Sequence, residues 1–530
     1  MYDYIIVGGG SAGCVLAARL TEVKDIKVLL LEAGPVDRDP NIHRPVGFAK
    51  MTSGPLTWGY RTAPQKHADD RRIPFAQARV IGGGSSINAE VFTRGCPEDY
   101  DRWANEEGCP GWSYAEVKDL FIRSEDNDTF AGPDHGVGGP LGVSTLNADR
   151  MTKVFVQACQ QAGIPYNPDF NAGKQAGSGV YQTTIRNGKR CSAAVGYLKP
   201  VLNRPNLTVL TDCLSTRILV ENGRAVGVAY ARHGREETAR AEREILLTAG
   251  AIGSPKLLML SGIGPADHLV SHGIEVVHDL PGVGQNLHDH YGTDIIYELN
   301  GPWSFDKYKS WYWQLWAGLE YYMFNKGPVA SNIVEGGAFW TLDKSSKTPD
   351  TQFHFLSGAG VEAGVEPVPS GSGVTVNTYF VRPLSRGSVT LASADPAAAP
   401  IIDPNYLAEP HDVAMSVAGV KQMREIMRQP AFAKYTRGEH LPGDKCRSDA
   451  DWTAFIKRFG RTCYHPVGTC RMGSDAAAVV DPELRLRGIE GLRVCDSSIM
   501  PSLVSSNTNA PTIMIGEKAS DLIRGNRQAA

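Results

Sequence analysis

A surplus of positive charge is the first thing that this sequence lacks. Its 54 lysines and arginines are outnumbered by 57 aspartates and glutamates, so the formal net charge is −3 and the isoelectric point is about 6.5. Proteins that bind nucleic acids need a basic surplus to neutralise phosphates. We therefore expect no nucleic-acid partner for this chain.

Long hydrophobic runs are missing as well. No apolar run reaches the roughly 18 residues that a transmembrane helix requires. The sequence enters a strand-like run at Tyr2, without the basic start and apolar stretch of a signal peptide. These absences predict a cytoplasmic protein, and they leave membrane association only through a surface contact.

Dense cysteine pairs are also absent. Ten cysteines are spread from Cys14 to Cys495, too sparsely for a disulfide scaffold, so we expect reduced thiols. Cys463, His465 and Cys470 lie close in sequence, but a structural zinc site needs four ligands and no second ligand pair is present. We therefore expect no metal.

A serine on a strained strand-to-helix turn, which a hydrolase needs, is missing too. His288 and His290 flank Asp289 and resemble parts of a hydrolase triad. Without the nucleophile, we expect both histidines either to be structural or to hold site residues in place, rather than to act on a substrate.

What the chain does contain favours a large α/β enzyme. Its 530 residues exceed one ordinary core and predict two or more domains or one two-lobed unit. The 57 glycines and 33 prolines are typical of a protein rich in loops rather than a helical bundle.

The first 34 residues carry a dinucleotide-binding pattern. The apolar run from Tyr4 to Val7 predicts a buried parallel strand. It meets Gly8-Gly9-Gly10-Ser11-Ala12-Gly13, a helical segment to Leu20, and a second strand over 27–31. Gly8 permits the tight turn, Gly10 lets the backbone approach a pyrophosphate, and Gly13 lets the helix pack closely on the strand. The amide groups of Ser11 and Ala12 would face the phosphates at the positive end of the helix.

Glu32 follows the second strand, 19 residues after Gly13. A carboxylate at this point accepts hydrogen bonds from ribose hydroxyls and disfavours the 2′-phosphate of NADP. The strand, turn, helix, strand and acid occur in the expected order, which makes a fortuitous glycine motif improbable. This pattern does not distinguish FAD from NAD.

Four further segments resemble the signatures of the glucose–methanol–choline (GMC) oxidoreductases, over nearly the whole chain. The segments run from Ala78 to Asn88, from Gly250 to Gly264, from Tyr464 to Gly473, and from Asp496 to Thr512. The motifs NLHDH at 286–290 and IIDPNYL at 401–407 resemble the branch of bacterial choline dehydrogenases and aliphatic alcohol dehydrogenases. The resemblance implies FAD as the cofactor and a CH–OH group as the site of oxidation.

The resemblance also implies roles for single residues. It places His465 at the family's catalytic base, an imidazole whose pKa of about 6.5 suits proton transfer near neutral pH. Asn507 matches a second active-site position, where an amide can donate to a developing alkoxide but cannot act as a base. The residues expected to help hold FAD are Gly82, Gly83, Asn88, Ser215, Asp496, Ser497, Asn507 and Thr508. Asp496 is expected to accept ribityl hydroxyls or backbone N–H groups rather than to face phosphate.

Departures from the family pattern are informative. Some members attach FAD covalently through a histidine before the asparagine that matches Asn88; this chain has Ile87 there, so we predict non-covalent FAD. Relatives usually carry an apolar residue at Glu90. If residues 87–91 were extended, Ala89 would face the flavin and Glu90 would point away, as a supporting or surface carboxylate.

The substrate side is less well determined by the sequence. Residues 303–324 are rich in aromatics, which indicates a packed helix or an apolar rim. Such a rim would admit apolar alcohols or touch a membrane surface. Glu335 matches a carboxylate that binds the substrate cation in choline-oxidising relatives, and Phe355 lies on a strand expected to face the pocket. Both are predicted to bind substrate.

These patterns predict an α/β fold with a discontinuous FAD-binding Rossmann-like domain and an α+β substrate-binding domain with an antiparallel sheet. The FAD-binding domain is expected over 1–150, 190–295 and 457–530, and the substrate-binding domain over 151–189 and 296–456. Ser254-Pro255 predicts a helix start and Gly262 its end. The expected function is oxidation of a primary alcohol to an aldehyde, with O₂ or a quinone-type acceptor. The alternative is a lyase of the same family without a net redox step, similar to the hydroxynitrile lyases.

Overall fold

A parallel sheet at the amino-terminal end organises the computed structural model, which describes residues 1–360 and 368–525. Its strands are β1 Tyr2–Val7, β2 Val28–Leu31, β10 Leu207–Leu210, β11 Cys213–Glu221, β12 Arg224–Arg232, β13 Arg235–Leu247 and β24 Leu492–Val494. The order is β10-β2-β1-β13, with β24 also parallel to β13. The first half of β13 turns away from this sheet to pair antiparallel with β12, which in turn pairs with β11.

A second sheet is antiparallel. Its strands are β6 Gly177–Val180, β16 Tyr291–Leu299, β17 Gly336–Trp340, β18 Thr351–Leu356, β19 Gly373–Phe380, β22 Thr436–Leu441 and β23 Arg461–Thr462. The order is β22-β16-β19-β18-β17-β6, and β23 pairs with the start of β16. Phe355 lies on a strand, β18, as expected.

Four smaller sheets are also present in the described residues. They consist of β3 Val91–Phe92, β4 Glu125–Asn127, β5 Leu141–Thr145 and β7 Gln182–Thr183 in one sheet, and of the pairs β8 Ile185–Arg186 with β9 Lys189–Arg190, β14 Ile263–Gly264 with β15 His278–Asp279, and β20 Ser388–Thr390 with β21 Ile401–Asp403. This mixture of parallel and antiparallel sheets with helices confirms the predicted fold class.

The α-helices cover both sheets. They are α1 Ser11–Leu20, α2 Pro40–His43, α3 Pro97–Asn105, α4 Tyr114–Ser124, α5 Arg150–Gln161, α6 Gly250–Leu260, α7 Ala266–Ser271, α8 Trp311–Phe324, α9 Pro410–Met427, α10 Pro430–Ala433, α11 Asp449–Phe459 and α12 Asn509–Gly525. Among the helices of the described residues, none combines the length and the apolar character that a bilayer crossing demands.

The two ends of the chain meet at the first sheet. Helix α12 packs against α1, and Gly516 allows this because an added Cβ would lie 3.0 Å from the Cβ of Val15. The Ser11 hydroxyl donates to the Asn509 side chain at 2.8 Å. The carboxyl-terminal segment is therefore built into the amino-terminal nucleotide motif.

Helix α6 differs from its predicted start. It begins at Gly250 rather than after Ser254, and Pro255 lies inside it. The Asp496 carboxylate caps it by accepting from the Gly250 N–H at 2.9 Å, while the Ser254 hydroxyl donates to the same carboxylate at 2.5 Å. A serine followed by proline resembles a helix start, but here a distant carboxylate supplies the cap. The predicted end is correct, because Gly262 follows the helix with φ of +78°.

The expected division into two domains cuts across the antiparallel sheet. Residue 295 falls inside β16, and β23, at 461–462, belongs to the antiparallel sheet although it was assigned to the FAD-binding domain. The division into two domains stays a prediction.

Candidate functional site

A cavity of about 360 Å³ lies at the carboxyl ends of the parallel strands. Val7 and Gly8 end β1, Leu31 and Glu32 end β2, Thr248 follows β13, and Asp496 follows β24; all of them line the cavity. Ligands of open α/β sheets bind at this edge, where strand order reverses and helix N-termini point inward. A second cavity, beside Asp289 and Tyr406, holds only about 20 Å³.

Most of the predicted site residues line this one cavity. They are Gly8, Gly10, Ser11, Ala12, Glu32, Gly83, Asn88, Ser215, His465, Asp496, Ser497, Asn507 and Thr508. Gly13, Gly82, Glu335 and Phe355 are not among the lining residues. Residues 8 and 508, far apart in sequence, thus contribute to the same space, but what each residue does there stays a prediction.

The glycine turn at the start of α1 has the geometry that a phosphate site needs. Gly8 has φ of +107°, and a Cβ on it would lie 2.5 Å from the Thr248 carbonyl oxygen. A Cβ on Gly13 would lie 2.0 Å from the Gly8 carbonyl, so only glycine lets α1 approach β1 this closely. No side chain caps α1, and its first N–H groups face the cavity at the positive end of the helix.

Glu32 is buried at the end of β2 and lines the cavity. Its carboxylate accepts from the Gly9 N–H at 2.8 Å and the Gly34 N–H at 2.7 Å. Burial raises the pKa of Glu32, and these two N–H groups oppose that shift. Because a carboxylate offers about four lone-pair sites, two remain for ribose hydroxyls.

Two other glycines show that the cavity wall is open to a ligand. Gly84 and Gly250 line the cavity, and a Cβ on either would meet no protein atom within 4 Å. Any side chain there would therefore occupy ligand space. A helix terminus for phosphates, a carboxylate for ribose and glycine walls together fit FAD.

Asp496 stabilises the backbone at the cavity wall. Besides capping α6, its carboxylate accepts from the Ser498 N–H at 2.8 Å. Burial raises its pKa, whereas the hydrogen bonds from Ser254, Ser498 and Gly250 oppose this. Of the two partners expected for Asp496, the structure shows the backbone N–H groups.

His465 also lines the cavity, and its ring lies between two side chains. Its Nδ1 is 2.9 Å from Nδ1 of His290, and its Nε2 is 3.2 Å from Nδ2 of Asn507. The Asn507 amide is oriented by Gln352, whose Nε2 donates to Oδ1 of Asn507 at 3.1 Å. Nδ2 of Asn507 is therefore left to donate.

The hydrogen-bond partners assign the proton on each imidazole. Nε2 of His290 lies 3.0 Å from the Val381 carbonyl, which can only accept, so this nitrogen carries the hydrogen. Nδ1 of His290 is then an acceptor for Nδ1–H of His465. Nε2 of His465 is left unprotonated, which is the state that a general base requires.

The backbone at His465 is also held in place. The Asp289 carboxylate accepts from the His465 N–H at 2.7 Å and from the Thr462 hydroxyl at 2.5 Å. Burial raises the pKa of Asp289 to about 6. The preceding residue, Tyr464, has φ of +64°, a strained value for a bulky residue. The NLHDH motif therefore supports His465 through both Asp289 and His290, and for His290 a supporting role was one of the two expected roles.

Burial is the main influence on the protonation of His465. It lowers the pKa of His465 well below its usual value, and the nearby His290 and His354 lower it further. Burial also lowers the pKa of His290 to about 4 and that of His354 to about 3. All three imidazoles are neutral at physiological pH, as the tautomer assignment requires.

Glu335 does not face the cavity. Its carboxylate accepts from the Ser331 hydroxyl and from the Asp149 N–H, each at 2.6 Å. Burial raises its pKa to about 7, and the neighbouring Asp149 carboxylate adds to this. Glu335 thus joins the start of α5 to the turn before β17, and its role in substrate binding stays a prediction.

Phe355 likewise lies on the wrong face of β18. Its ring stacks on Phe155 of α5 with 4.8 Å between ring centroids. Strand residues alternate between faces, so the neighbours His354 and Leu356 line the cavity instead. The strand was predicted correctly, but the side chains that face the cavity are the neighbours of Phe355 rather than Phe355 itself.

Glu90 is not the surface carboxylate that was one of its two alternatives, and its alternative role as a supporting carboxylate stays a prediction. It is fully buried, not on the surface, and its φ of +61° breaks the extended run on which the predicted orientation depended. Its Oε1 lies 3.7 Å from Nε of Arg190, and neither carboxylate oxygen accepts a hydrogen bond from the described residues. Burial raises its pKa to about 7, although Arg190 opposes the shift.

The parallel sheet, the glycine turn and the buried imidazole define a class of protein, the dinucleotide-dependent enzymes. Family models described as GMC oxidoreductase match residues 2–292 and 383–516. The chain belongs to the GMC oxidoreductase family, as its motifs indicated. It is therefore an FAD-dependent oxidoreductase that acts on CH–OH groups.

Individual relatives agree with this assignment. The chain is 43% identical to an alcohol dehydrogenase [acceptor] of Pseudomonas putida, over 99% of this chain and 96% of that protein. It is also 43% identical to an oxygen-dependent choline dehydrogenase of Sinorhizobium fredii, over 100% and 96%. The crystal structure of pyridoxine 4-oxidase from Mesorbium loti matches with a TM-score of 0.89 and 32% identity over 98% of each chain.

Proposed function

We propose that the protein oxidises an apolar primary alcohol to its aldehyde, with His465 as the base. The observation that carries the proposal is the unprotonated Nε2 of His465, which faces the cavity with Nδ2 of Asn507 only 3.2 Å away. Nε2 removes the hydroxyl proton, and the Asn507 amide donates to the oxygen as negative charge develops there. Bound FAD supplies the acceptor for the hydride that leaves the carbon.

The residues around the cavity support non-covalent binding of FAD. Ile87, which lines the cavity where some relatives have the linking histidine, offers no nucleophile. The N-terminus of α1 would hold the pyrophosphate and Glu32 the ribose. Gly84 and Gly250 would leave room for the rest.

Apolar alcohols are favoured as substrates over choline. The Glu335 carboxylate is occupied by Ser331 and Asp149 and does not face the cavity. The walls include the aliphatic side chains of Ile87, Val334 and Leu356, and the lining carboxylate of Glu90 is 3.7 Å from Nε of Arg190. This supports a substrate like that of the Pseudomonas relative, whose name specifies an alcohol, rather than the choline named for the Sinorhizobium relative.

The electron acceptor is proposed to be O₂ or a quinone-type carrier. The location is proposed to be the cytoplasm. No disulfide joins the ten cysteines, all of which lie within the described residues, and this is in keeping with a reducing compartment.

The test is to mix the purified protein anaerobically with octanol, benzyl alcohol or choline and to follow the flavin absorbance at about 450 nm. Octanol and benzyl alcohol should bleach the flavin, and choline should not. The reduced protein is then exposed either to air or, without air, to a quinone. The acceptor that restores the flavin colour is the one that the protein can use. A flavin that no alcohol bleaches would favour the lyase alternative.

His465→Ala should retain bound flavin and lose flavin reduction by about 10² or more, because the positioned base is removed. The exposed His233, in the turn between β12 and β13, gives a matched control, and His233→Asn should reduce at the parental rate. Parental reduction by His465→Ala would refute the base assignment.

A further inference from the structure

Helix α8 exposes an unusual amount of apolar surface. Half of the large hydrophobic side chains exposed by the described residues lie between Trp303 and Phe324. Trp311 is 76% exposed, Tyr322 72% and Leu315 69%. Patches of this kind on a protein surface indicate an interaction site.

The exposed arc of α8 is too broad for an ordinary core helix. With 3.6 residues per turn, the exposed side chains from Trp311 to Phe324 cover about 220° of the helix circumference. Only a narrow face, carrying Ala317 and Tyr321, is buried against the rest of the protein. A helix that packs only on its own domain shows the reverse, an apolar stripe turned inward and a polar face turned out.

The composition and charge of α8 match a bilayer surface. Its exposed residues include Trp311, Tyr312 and Trp316, and tryptophan and tyrosine are enriched where membranes meet water. Exposed lysines, Lys309 and Lys326, flank the helix. Lys309 also pairs with Asp306 at 2.7 Å. Lysines at such flanks attract anionic headgroups.

We propose that α8 inserts its exposed face into the interface of an anionic bilayer, with its axis along the membrane plane. A second copy of the chain would cover a stripe of roughly 100° and leave much of the remaining arc in water. A bilayer covers the whole convex arc at once. The lack of a spanning helix in the described residues is compatible with this shallow mode of binding.

The proposed membrane face adjoins the cavity. The Arg44 guanidinium donates to the Tyr322 hydroxyl of α8. Phe48 and Thr52, which follow Arg44 closely in sequence, line the cavity. If the proposed alcohol oxidation is correct, an apolar alcohol dissolved in the bilayer reaches the cavity beside α8; the membrane contact itself does not depend on that function.

The test is co-sedimentation of the holoenzyme with vesicles of equimolar phosphatidylcholine and phosphatidylglycerol. The wild-type protein should sediment with these vesicles, and several-fold less with phosphatidylcholine alone. The triple variant Trp311→Ser, Trp316→Ser and Phe324→Ser should lose vesicle binding about tenfold or more, while bound flavin and reduction by a water-soluble alcohol are unchanged. Lipids brominated in the acyl chain should quench tryptophan fluorescence in the wild type and much less in the variant.

A double variant of exposed apolar residues outside α8, Leu202→Ser and Val270→Ser, should bind vesicles like the wild type. Equal vesicle binding by the α8 variant would overturn the proposal. The proposal would also be overturned if the wild-type protein did not bind vesicles and light scattering showed a dimer for the wild type but a monomer for the α8 variant. The exposed face of α8 would then join two copies of the chain. Co-sedimentation, lipid quenching and light scattering need no reaction with an alcohol, so they test the membrane contact whether or not the proposed oxidation is correct.

Discussion

His465 can act as a base because the hydrogen of the His290 ring is on Nε2, which leaves Nδ1 of His290 as an acceptor for Nδ1–H of His465. Without an acceptor at Nδ1, His465 can shift its own hydrogen to Nε2, which then cannot accept the substrate proton. His290→Phe should therefore lower the rate of flavin reduction about tenfold or more, part of the roughly 10²–10⁴ that a positioned base contributes. Stopped-flow reduction with a saturating alcohol measures this change.

The conservative variant His290→Gln keeps an acceptor and should recover part of the rate. A purely structural role for His290 would predict that both variants lose flavin and stability together. A positioning role predicts retained flavin and a lower rate in His290→Phe, with the alcohol KM little changed. An unchanged rate in His290→Phe would contradict the tautomer assignment.

The buried carboxylate of Glu90 predicts a pH-dependent stability. Burial raises its pKa in the folded protein to about 7, above the value of about 4.3 in the unfolded chain. Because the folded state disfavours the ionised form, the contribution of Glu90 is most favourable below about pH 4.3 and is lost as pH rises towards 7. Glu90→Gln cannot ionise and escapes this loss.

The free energy of unfolding of Glu90→Gln, relative to the wild type, should therefore increase between pH 5 and pH 8 by about 2 kcal/mol. Urea denaturation at the two pH values measures it, and the low-pH comparison serves as the internal control. A difference that is the same at both pH values would show that Glu90 keeps its charge through the Arg190 contact.

Helix α6 shows how an element depends on groups far away in sequence. Pro255 has no N–H to give to the Ala251 carbonyl, one turn earlier. The Thr469 hydroxyl donates to that carbonyl instead, at 2.6 Å in a fully buried position. Thr469→Val would leave the carbonyl unsatisfied and should reduce the free energy of unfolding by about 1–3 kcal/mol.

Thr453→Val is the matched control for this substitution. The Thr453 hydroxyl also donates to a helix carbonyl, that of Asp449 at 2.7 Å, but at an exposed position. Water can replace it there, so the change should stay within about 0.5 kcal/mol. Equal losses in the two variants, by urea denaturation, would refute the role given to Thr469.

The sequence predicts elements whose signals are local. The strands β1 and β2 and the helix between them were predicted to within a few residues, because apolar runs and glycines act over short distances. The start of α6 was predicted wrongly, since its cap comes from Asp496. The placement of Phe355 failed for a related reason: a strand signal does not tell which face meets the cavity, and that depends on α5.

The same distinction holds for single residues at the site: positions with a local sequence signal were predicted, and those that depend on distant groups were not. The motifs brought His465 and Asn507 to one cavity wall, because the family pattern contains their spacing. The role of His290 depends on the Val381 carbonyl, a backbone group that no sequence pattern marks. Glu90 was misplaced because its left-handed backbone depends on neighbours such as Thr184, whose N–H donates to the Glu90 carbonyl at 2.8 Å.

At the scale of the whole molecule, one carboxylate joins four distant segments. Glu517 of α12 is fully buried and accepts from Arg19 at 2.9 Å and Tyr197 at 2.8 Å. It also pairs with Arg123 at 2.8 Å. The side chains of the two arginines are 20% and 38% exposed, so water reaches both guanidinium groups. Glu517→Gln weakens their hydrogen bonds to a charged group and should reduce the free energy of unfolding by about 1–3 kcal/mol.

Glu22→Gln provides the comparison, since Glu22 also binds Arg19, at 3.0 Å, but its side chain is 38% exposed. Exposed ion pairs contribute about 0–1 kcal/mol, so this variant should change little. Thermal or chemical denaturation of both variants separates the two cases. A loss below about 1 kcal/mol for Glu517→Gln would show that the four segments are held together by other contacts.

The cavity wall that combines residues 8–34 with residues 496–512 has a consequence for biosynthesis. A nascent chain that has reached residue 450 on the ribosome already contains the glycine turn, but it lacks β24, Asp496 and the whole of α12. We therefore expect insertion of the flavin to follow translation. Riboflavin supply during growth should then set the ratio of yellow to colourless full-length protein.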